Sequence, residues 1–321
     1  MSTYPTPQRQ LRGHMPSRPT SRLASTGEHQ AWLARRLTAR DRWLARMLYE
    51  HRVLTTHQIA ELAWPTVRAA NHRLLDLYGW RVIDRFQPFV TTGSAPMHYV
   101  LDVAGAVQLA HEDGLDPKSL GYRHQAALGI AHSLQLAHTV GTNGFFTSLV
   151  AGSCGPMRGL TTWWSERRCA TYFGDVVRPD GYGRWTEAGA VLEFFLEHDC
   201  GTETLDRLTD KVRRYAGLAT RTGISTPVLF NFPGSRREAN ARQAFAALAD
   251  VASVPVITTN AKFPSSVAAQ RWLPVVSTRS GRLRIGELAL LLPCQASETA
   301  ADSSTRLSPP APLPPESPGL S

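Results

Sequence analysis

Residues 178–199 read Arg-Pro-Asp-Gly-Tyr-Gly-Arg-Trp-Thr-Glu-Ala-Gly-Ala-Val-Leu-Glu-Phe-Phe-Leu-Glu-His-Asp, and this stretch decides the fold of the second half of the chain. Asp180 lies between a Val-Val-Arg-Pro run and a glycine, which predicts that it lies where a strand turns. Glu197 and Asp199 close the next apolar run, and residues at this spacing share one face of a strand. We therefore expect the carboxylates of Asp180, Glu197 and Asp199 to converge, with Glu166 as an accessory fourth.

Convergent carboxylates repel one another unless a cation or a proton lies between them. Hard oxygen ligands suit Mg²⁺ or Mn²⁺, so the sequence predicts Mg²⁺ as a cofactor held by Asp180, Glu197 and Asp199. The basic segment Lys-Val-Arg-Arg-Tyr follows on a predicted helix, and its Lys211 joins the three acids as a candidate catalytic residue. Arg214 on the same segment is an accessory candidate. Salt bridges between the carboxylates and nearby arginines are the alternative.

The runs around this stretch predict the architecture of the second domain. Strands are expected at 160–167, 171–178, 190–199, 227–232 and 254–258, and helices at 204–219 and 236–249. The last two strands are continuous apolar runs, as expected where helices cover both faces of a sheet. The fold class is therefore α/β, with a mixed sheet flanked by helices.

The first half of the chain predicts three helices and a hairpin. Thr38-Ala-Arg-Asp opens the first helix with a capping-box pattern, and Thr55 or Thr56 caps the second. The third helix is expected over 66–78 and ends at a glycine. Two alternating runs then flank the turn Thr-Thr-Gly-Ser-Ala-Pro. This is the element order of a winged helix-turn-helix, so we expect an α+β head of that kind.

The third helix of a winged helix-turn-helix enters the major groove of DNA. On its exposed face the sequence predicts four DNA-binding residues, Arg68, Asn71, His72 and Arg73. Arginine reads guanine edges and asparagine reads adenine edges, although either also binds phosphate. Winged helices also serve as protein docking modules, which is the alternative for this head. The basic face favours DNA.

The net charge also bears on the partner. The 321 residues carry a formal charge of +9, most of it supplied by arginine. Because the arginine fork binds phosphate in a bidentate manner, nucleic acid is favoured as a partner. An arginine- and alanine-rich composition is also typical of GC-rich genomes, which is the plainer interpretation. Hydrophobic residues make up 42% of the chain and charged residues 19%, as in an ordinary globular protein.

Composition divides the chain into four segments. Residues 1–30 are predicted to be a disordered basic arm and 296–321 a disordered proline- and serine-rich tail. Between them, 31–120 is assigned to the winged helix-turn-helix and 121–295 to the α/β domain. The four scattered cysteines fit reduced thiols, so the cytoplasm is the expected compartment. No apolar stretch approaches a membrane span, so no membrane partner is expected.

Taken together, these motifs resemble the replication-relaxation family of actinobacterial mobile elements over about residues 38–295. The resemblance rests on Leu-Thr-Thr-His-Gln-Ile-Ala-Glu-Leu in the first domain. In the second it rests on Arg-Pro-Asp-Gly and on Phe-Leu-Glu-His-Asp-Cys-Gly-Thr-Glu, followed by Lys211 and Tyr215. It implies a winged helix joined to a domain of the PD-(D/E)XK nuclease fold, whose name the Pro179-Asp180 dipeptide matches.

The chain departs from the nuclease pattern at one position. The resemblance implies a lysine two residues after the glutamate, where it orients the attacking water and stabilises charge on the phosphate. Asp199 occupies that position here. Lys211 or Arg214, about one helix away, would have to reach back and take over its role.

The family is associated with plasmid or mobile-element replication and transfer. The resemblance thus implies a DNA-binding protein that acts beside other replication or transfer proteins and, if active, a Mg²⁺-dependent DNA nickase or endonuclease. The alternative is a non-catalytic transcription or replication regulator with a pseudo-nuclease domain. Tyr182 and Tyr215 are conceivable nucleophiles of a covalent relaxase, but the sequence offers no histidine metal cluster of the kind that such enzymes use.

Overall fold

A computed structural model describes residues 12–15, 26–90, 92–155, 157–249, 253–263, 265–276, 281–292 and 307–315. The chain forms two compact units. The head unit comprises Pro5–Thr147 with Ala300–Ser321, and the sheet unit comprises Met1–Tyr4 with Ser148–Thr299. The division therefore falls at Ser148, further along the chain than residue 120, where the sequence places it. No described helix is both long and apolar enough to cross a membrane.

The head unit is a helical layer on a small antiparallel sheet. In chain order it contains β1 (Arg12–Met15), α1 (Gly27–Arg36), α2 (Ala39–His51), β2 (Leu54–Thr55), α3 (Thr56–Ala63), α4 (Val67–Gly79), β3 (Ile83–Phe89), β4 (His98–Leu101), α5 (Val103–Glu112) and α6 (His124–Leu128), and it includes the start of α7 (Leu136–Ala151). The sheet order is β1-β3-β4-β2. One core cluster of this unit contains Val53, Phe86 and Val100 with Ile130 and Leu136.

The three predicted helices of the head are confirmed, and local capping explains where they begin. The Thr38 hydroxyl and the Asp41 carboxylate form a reciprocal capping box at the start of α2. Thr55, rather than Thr56, caps α3 and forms a second capping box with Gln58. Thr66 caps α4 through the Ala69 amide. Each cap satisfies backbone donors that a helix start leaves unpaired.

Two segments predicted to be disordered contain described structure. In the segment 1–30, Arg12–Met15 pairs antiparallel with β3, and α1 begins at Gly27 with Thr26 as its cap. In the tail, residues 307–315 lie against the head unit, and Leu307 is buried. The remaining residues of both segments lie outside the described ranges. Disorder was predicted from composition, but strand pairing and burial against the rest of the head are tertiary effects that composition does not contain.

The sheet unit is built on a six-stranded mixed sheet. Its elements are β5 (Arg158–Ser165), α8 (Glu166–Phe173), β6 (Gly181–Glu187), β7 (Ala190–His198), α9 (Leu205–Thr222), β8 (Val228–Phe232), α10 (Ser235–Ala246), β9 (Val256–Asn260), β10 (Leu273–Pro274) and α11 (Ile285–Leu291). The strand order is β10-β9-β8-β7-β6-β5. β5, β6 and β7 pair antiparallel, whereas β7, β8 and β9 are parallel. The mixed α/β sheet is thus confirmed.

Helices lie on both faces of this sheet. On one face, α8, α9 and α10 pack against Tyr182, Phe195 and Phe230 in an apolar core. The buried apolar residues of α9, Leu208, Val212, Tyr215 and Ala216, recur at the spacing of one helical face. α11 packs on β6 and β7. Because side chains alternate along a strand, Glu197 lies on the same face of β7 as Phe195, beneath α9.

The strand predicted at 171–178 is wrong. Residues up to Phe173 belong to α8, which begins at Glu166 after the Ser165 cap. The strand that precedes β7 is instead β6, which begins at Gly181 and contains a second glycine, Gly183. Gly183 is required in β6, because a Cβ atom there would lie 2.4 Å from the ring of its cross-strand neighbour Phe194. Here glycine makes room for an aromatic ring and does not terminate the strand.

His98 predicts how acid will affect the head unit. The imidazole is buried in β4, is stacked on Phe86 and lies 2.9 Å from the Pro96 carbonyl through Nδ1. Burial lowers the His98 pKa from 6.5 to about 4, although the bond to Pro96 opposes the shift. The unfolded chain therefore binds more protons as the pH falls from 6.5 to 4. We expect about 3 kcal/mol of unfolding free energy to be lost over that range.

The measurement is urea unfolding between pH 7 and pH 4 for the wild type and His98→Asn, whose side-chain amide can still donate to Pro96. We expect the variant to lose less stability in acid than the wild type. His72→Asn, at an exposed position of α4, is the control and should follow the wild type. Identical acid sensitivity in His98→Asn and the wild type would contradict the prediction.

Candidate active site and candidate DNA-binding face

Asp180 is fixed at the start of β6 against the end of β7. Its backbone amide donates to the Leu196 carbonyl at 3.1 Å, and its Oδ2 accepts the His198 amide at 2.7 Å. The side chain is buried. The sequence places Asp180 where the strand 171–178 turns, but these described residues form no strand in the structure, and Asp180 instead lies directly before β6. The backbone bonds hold its carboxylate beside β7.

Glu197 is the central group of the site. It lies on β7 and is only 3% exposed. Its Oε2 accepts a hydrogen bond from Lys211 Nζ at 2.8 Å, and its Oε1 accepts one from the Tyr215 hydroxyl at 2.5 Å. Lys211 and Tyr215 are four residues apart on α9 and therefore lie on one face of the helix. Lys211 Nζ also lies 3.1 Å from Glu203 Oε2.

The electrostatics of the site follow from burial and from a second acid. Burial and the negative charge of Asp180 raise the pKa of Glu197 to about 7, and Lys211 and Tyr215 offset only part of this shift. Burial alone would lower the pKa of Lys211, but the charges of Glu197 and Asp180 outweigh it and raise that pKa. Lys211 therefore stays positive at neutral pH, and its ammonium group contacts Glu197 and Glu203 while the charge of Asp180 also acts on it.

The third predicted acid does not join this pair. Asp199 Oδ2 accepts a hydrogen bond from Arg237 Nε at 2.7 Å, and its Oδ1 accepts the Gly201 amide at 2.8 Å. Within the described residues, Asp180, Glu197 and Asp199 do not form a group whose ligand atoms all lie within 4.8 Å of one another. Of the proposed metal ligands, Asp180 binds the backbone amide next to Glu197 and its charge raises the Glu197 pKa, whereas Asp199 is bound to an arginine.

The two accessory candidates lie on helix surfaces. Glu166 is the first residue of α8 and is exposed. Arg214 is exposed on α9, whereas Lys211 is half-buried on the side of that helix that contacts Glu197. Lys211 is therefore the basic residue of this segment that reaches back to the glutamate.

The two tyrosines considered as nucleophiles are buried. The Tyr215 hydroxyl is committed to Glu197, and burial together with the Glu197 charge raises the Tyr215 pKa well above its ordinary value. Tyr182 packs in the core of the sheet unit beside Phe195. A buried phenol with a raised pKa is a poor nucleophile, so the geometry favours a positioning role for Tyr215.

A second cluster of titratable groups lies in the head unit and was missed from the sequence. His124 Nε2 lies 3.0 Å from Asp84 Oδ2, and His124 Nδ1 lies 3.3 Å from Asp102 Oδ1. This is the group among the described residues whose ligand atoms are spaced closely enough to hold a metal ion. The three residues come from β3, from the cap of α5 and from the start of α6. No local spacing signals such a cluster, because the fold alone brings these elements together.

The candidate DNA-binding face lies on α4. Arg68, Asn71 and His72 are exposed there. Asn71 also lines a cleft of about 430 Å³, together with Arg85 of β3 and Tyr99 of β4. Three of the four predicted DNA-binding residues are therefore accessible to a ligand.

Arg73 differs from the other three because its guanidinium is already engaged. Nε donates to Asp41 Oδ1 at 2.9 Å and Nη2 donates to Asp41 Oδ2 at 2.5 Å, while the guanidinium stacks on Trp80. Asp41 is fully buried. A bidentate pair with a buried carboxylate ties α4 to the first turn of α2. The geometry thus gives Arg73 a structural role.

Comparison with known proteins gives one match. A family model described as replication-relaxation matches residues 46–234, which is more than half of the 321 residues and includes parts of both units. No curated protein and no solved structure matches the chain.

Arg73→Ala should destabilise the head unit. Removing the guanidinium leaves the Asp41 carboxylate buried and unpaired, which typically costs about 3 kcal/mol or more. We expect this loss in the free energy of unfolding measured by urea denaturation. Arg68→Ala is the matched control, because Arg68 is an exposed arginine of the same helix, and it should stay within about 0.5 kcal/mol of the wild type. Equal stabilities of the two variants would contradict the structural role of Arg73.

Proposed function

Because the chain belongs to the replication-relaxation family, we propose that it is a DNA-binding protein of plasmid or mobile-element replication or transfer. In this proposal the head unit binds DNA through α4, and the sheet unit hydrolyses phosphodiester bonds with the help of Mg²⁺. Other replication or transfer proteins of the element would be its partners, and it would act in the cytoplasm.

The element order of the head supports its part of the proposal. From α2 onward the order is helix, short strand, two helices and two antiparallel strands, which agrees with a winged helix-turn-helix. α4 would then be the recognition helix, with Arg68, Asn71 and His72 directed to DNA. The net charge of +9 favours a polyanionic partner. Arg73 is left out of this interface because Asp41 already holds its guanidinium.

The observation that carries the catalytic part is the contact between Lys211 and Glu197. The expected nuclease lysine is missing from position 199, yet Lys211 Nζ lies 2.8 Å from Glu197 Oε2. The charge of Asp180 acts on both of these groups. An acid at the start of one strand, a second acid on the next strand and a lysine beside it are the parts that a PD-(D/E)XK site requires. The lysine comes here from α9 and not from β7.

Each residue of the site has a chemical task in this proposal. Lys211 would orient the attacking water and neutralise charge that develops on the phosphate. Tyr215 would fix the Glu197 carboxylate through its 2.5 Å hydrogen bond, so that the position of this carboxylate does not depend on Lys211 alone. The His198 amide would hold Asp180 in place from the β7 backbone.

Two of the three predicted metal ligands, Asp180 and Glu197, fit a divalent cation. Asp180 and Glu197 both offer buried carboxylate oxygens, and burial together with the charge of Asp180 raises the pKa of Glu197 to about 7. These two residues would hold Mg²⁺, which often binds through only one or two protein carboxylates. Asp199 does not fit as a third ligand, because Arg237 and the Gly201 amide occupy its oxygens. When bound, the cation would lower the pKa of a water molecule and polarise a phosphate oxygen.

A non-catalytic regulator is the second candidate, and a specific observation favours it. Both oxygens of Glu197 accept hydrogen bonds within the protein, and Asp199 is bound to Arg237. Carboxylates engaged in this way stabilise a fold without any metal ion. Such a protein would bind DNA through the same head and use the sheet unit only as a scaffold.

The DNA-binding part is tested with Arg68→Ala and fluorescence anisotropy on a DNA duplex at several salt concentrations. If Arg68 binds phosphate, we expect the slope of log affinity against log salt to fall by about one while stability is unchanged. Arg35→Ala is the control, because Arg35 is an exposed arginine at the end of α1. A wild type without affinity for DNA at low salt would overturn this part and leave a protein-docking head.

The catalytic part is tested by nicking of supercoiled plasmid in Mg²⁺ and in Mn²⁺. We expect Asp180→Asn, Glu197→Gln and Lys211→Ala each to lower the nicking rate at least about 100-fold. Lys211→Arg should retain more activity than Lys211→Ala because it keeps the positive charge. Asp210→Asn, an exposed acid on α9 that pairs with Arg213, is the control and should nick at the wild-type rate.

Two further measurements separate the candidates. Thermal unfolding of each variant shows whether a lost rate reflects a lost fold. A wild type that binds DNA in a sequence-selective and salt-sensitive manner but does not nick it with either metal would overturn the hydrolase and support the regulator.

A further inference from the structure

The C-terminal proline-rich segment is seated on the head unit. Residues 307–315 read Leu-Ser-Pro-Pro-Ala-Pro-Leu-Pro-Pro, and Leu307, Pro310 and Pro312 are buried while the residues between them are exposed. Trp43 Nε1 on α2 donates a hydrogen bond to the Ala311 carbonyl at 2.7 Å. The segment is therefore anchored by apolar contacts and by one directed hydrogen bond.

The groove that receives this segment suits an extended proline-rich chain. Proline fixes φ near −65° and favours a polyproline II conformation, which has no internal hydrogen bonds and leaves its carbonyls free to accept. The indole N–H of Trp43 can donate a hydrogen bond but cannot accept one. It can therefore bind such a carbonyl while the ring packs on apolar side chains. Grooves with an exposed aromatic donor are a recurrent way to bind these segments.

Ion pairs hold the walls of the groove. Arg46 on α2 donates to Asp113, at the end of α5, through both Nη atoms at 3.0 and 2.5 Å, and it also reaches Glu112. Arg42 pairs with Glu112 at 2.5 Å. These bonds fix α2 against α5, so the groove is set by helix packing rather than by the tail.

The segment does not fill the groove completely. The tail and the residues of the groove together line a cleft of about 800 Å³. Open space therefore remains beside the segment, and the walls of the cleft outside the segment come from α2 and from residues just after α5.

We propose that the groove around Trp43, between α2 and the end of α5, is a recognition site for proline-rich segments. In the resting protein its ligand is the chain's own segment 307–315, which keeps the site closed to other proline-rich segments. The residues that line the groove include none of the α4 residues proposed to bind DNA and none of the Glu197 site.

The test uses a chain that ends at residue 306, a synthetic peptide of residues 307–315, and indole N–H NMR signals from tryptophan labelled with ¹⁵N. Trp43→Phe identifies the Trp43 signal. We expect truncation to shift this signal and the peptide to return it to its position in the full chain. The full chain should bind the peptide at least tenfold more weakly than the truncated chain, because its site is occupied.

A peptide with alanine in place of Pro310 and Pro312 is the matched control and should bind at least tenfold more weakly than the native peptide. The full chain carrying Pro310→Ala and Pro312→Ala should show a shifted Trp43 signal, which provides a readout without truncation. Three outcomes would each overturn the proposal: a Trp43 signal identical in the full and truncated chains, equal binding of the two peptides, or a full chain whose mass rises to a dimer with concentration only while the tail is present. The last would show that the segment occupies the groove of a second copy.

Discussion

The sheet unit depends on the buried carboxylate of Glu197 and on α9, the helix whose side chains donate hydrogen bonds to it. Glu197 lies on the inner face of β7 among aromatic residues, where an unpaired charge would be costly. The parallel pairing of β7 and β8 requires a crossover, and that crossover is α9. Its apolar residues pack on the sheet and bring Lys211 and Tyr215 to the two oxygens of Glu197. The same connection therefore builds the core and the site.

Local patterns in the sequence were sufficient for much of the head. Thr38 with Asp41, and Thr55 with Gln58, form capping boxes within three residues of each other, so short-range chemistry fixes where α2 and α3 begin. The sheet unit was harder to predict. β6 carries two glycines, two charged residues and one β-branched residue, and its character as a strand comes from pairing with β5 and β7 on both sides. Tertiary pairing overrode local preference there.

The residues of the candidate site also differ in how far the sequence could predict their contacts. Lys211 follows Glu197 by 14 positions and lies on the helix that comes directly after β7. A contact between this helix and the strand before it was therefore foreseeable from the order of the elements. Asp199 was expected to share the face of Glu197, but its partner Arg237 lies 38 positions away on α10. Whether a carboxylate is available to a metal ion or already paired with an arginine depends on contacts between residues far apart in the chain. The Asp84–Asp102–His124 cluster was missed for the same reason.

Asp41 has consequences beyond its own position. Its carboxylate accepts hydrogen bonds from the Thr38 amide and hydroxyl at 2.8 Å each. The same carboxylate also accepts hydrogen bonds from Nε and Nη2 of Arg73. One side chain thus starts a helix and orients the helix that bears the exposed basic face. Substitutions at positions 38, 41 and 73 share one hydrogen-bond network, so their energies should not add. Among homologous chains, these three positions should consequently change in concert, and their covariation would record the bond more clearly than the preservation of any single residue.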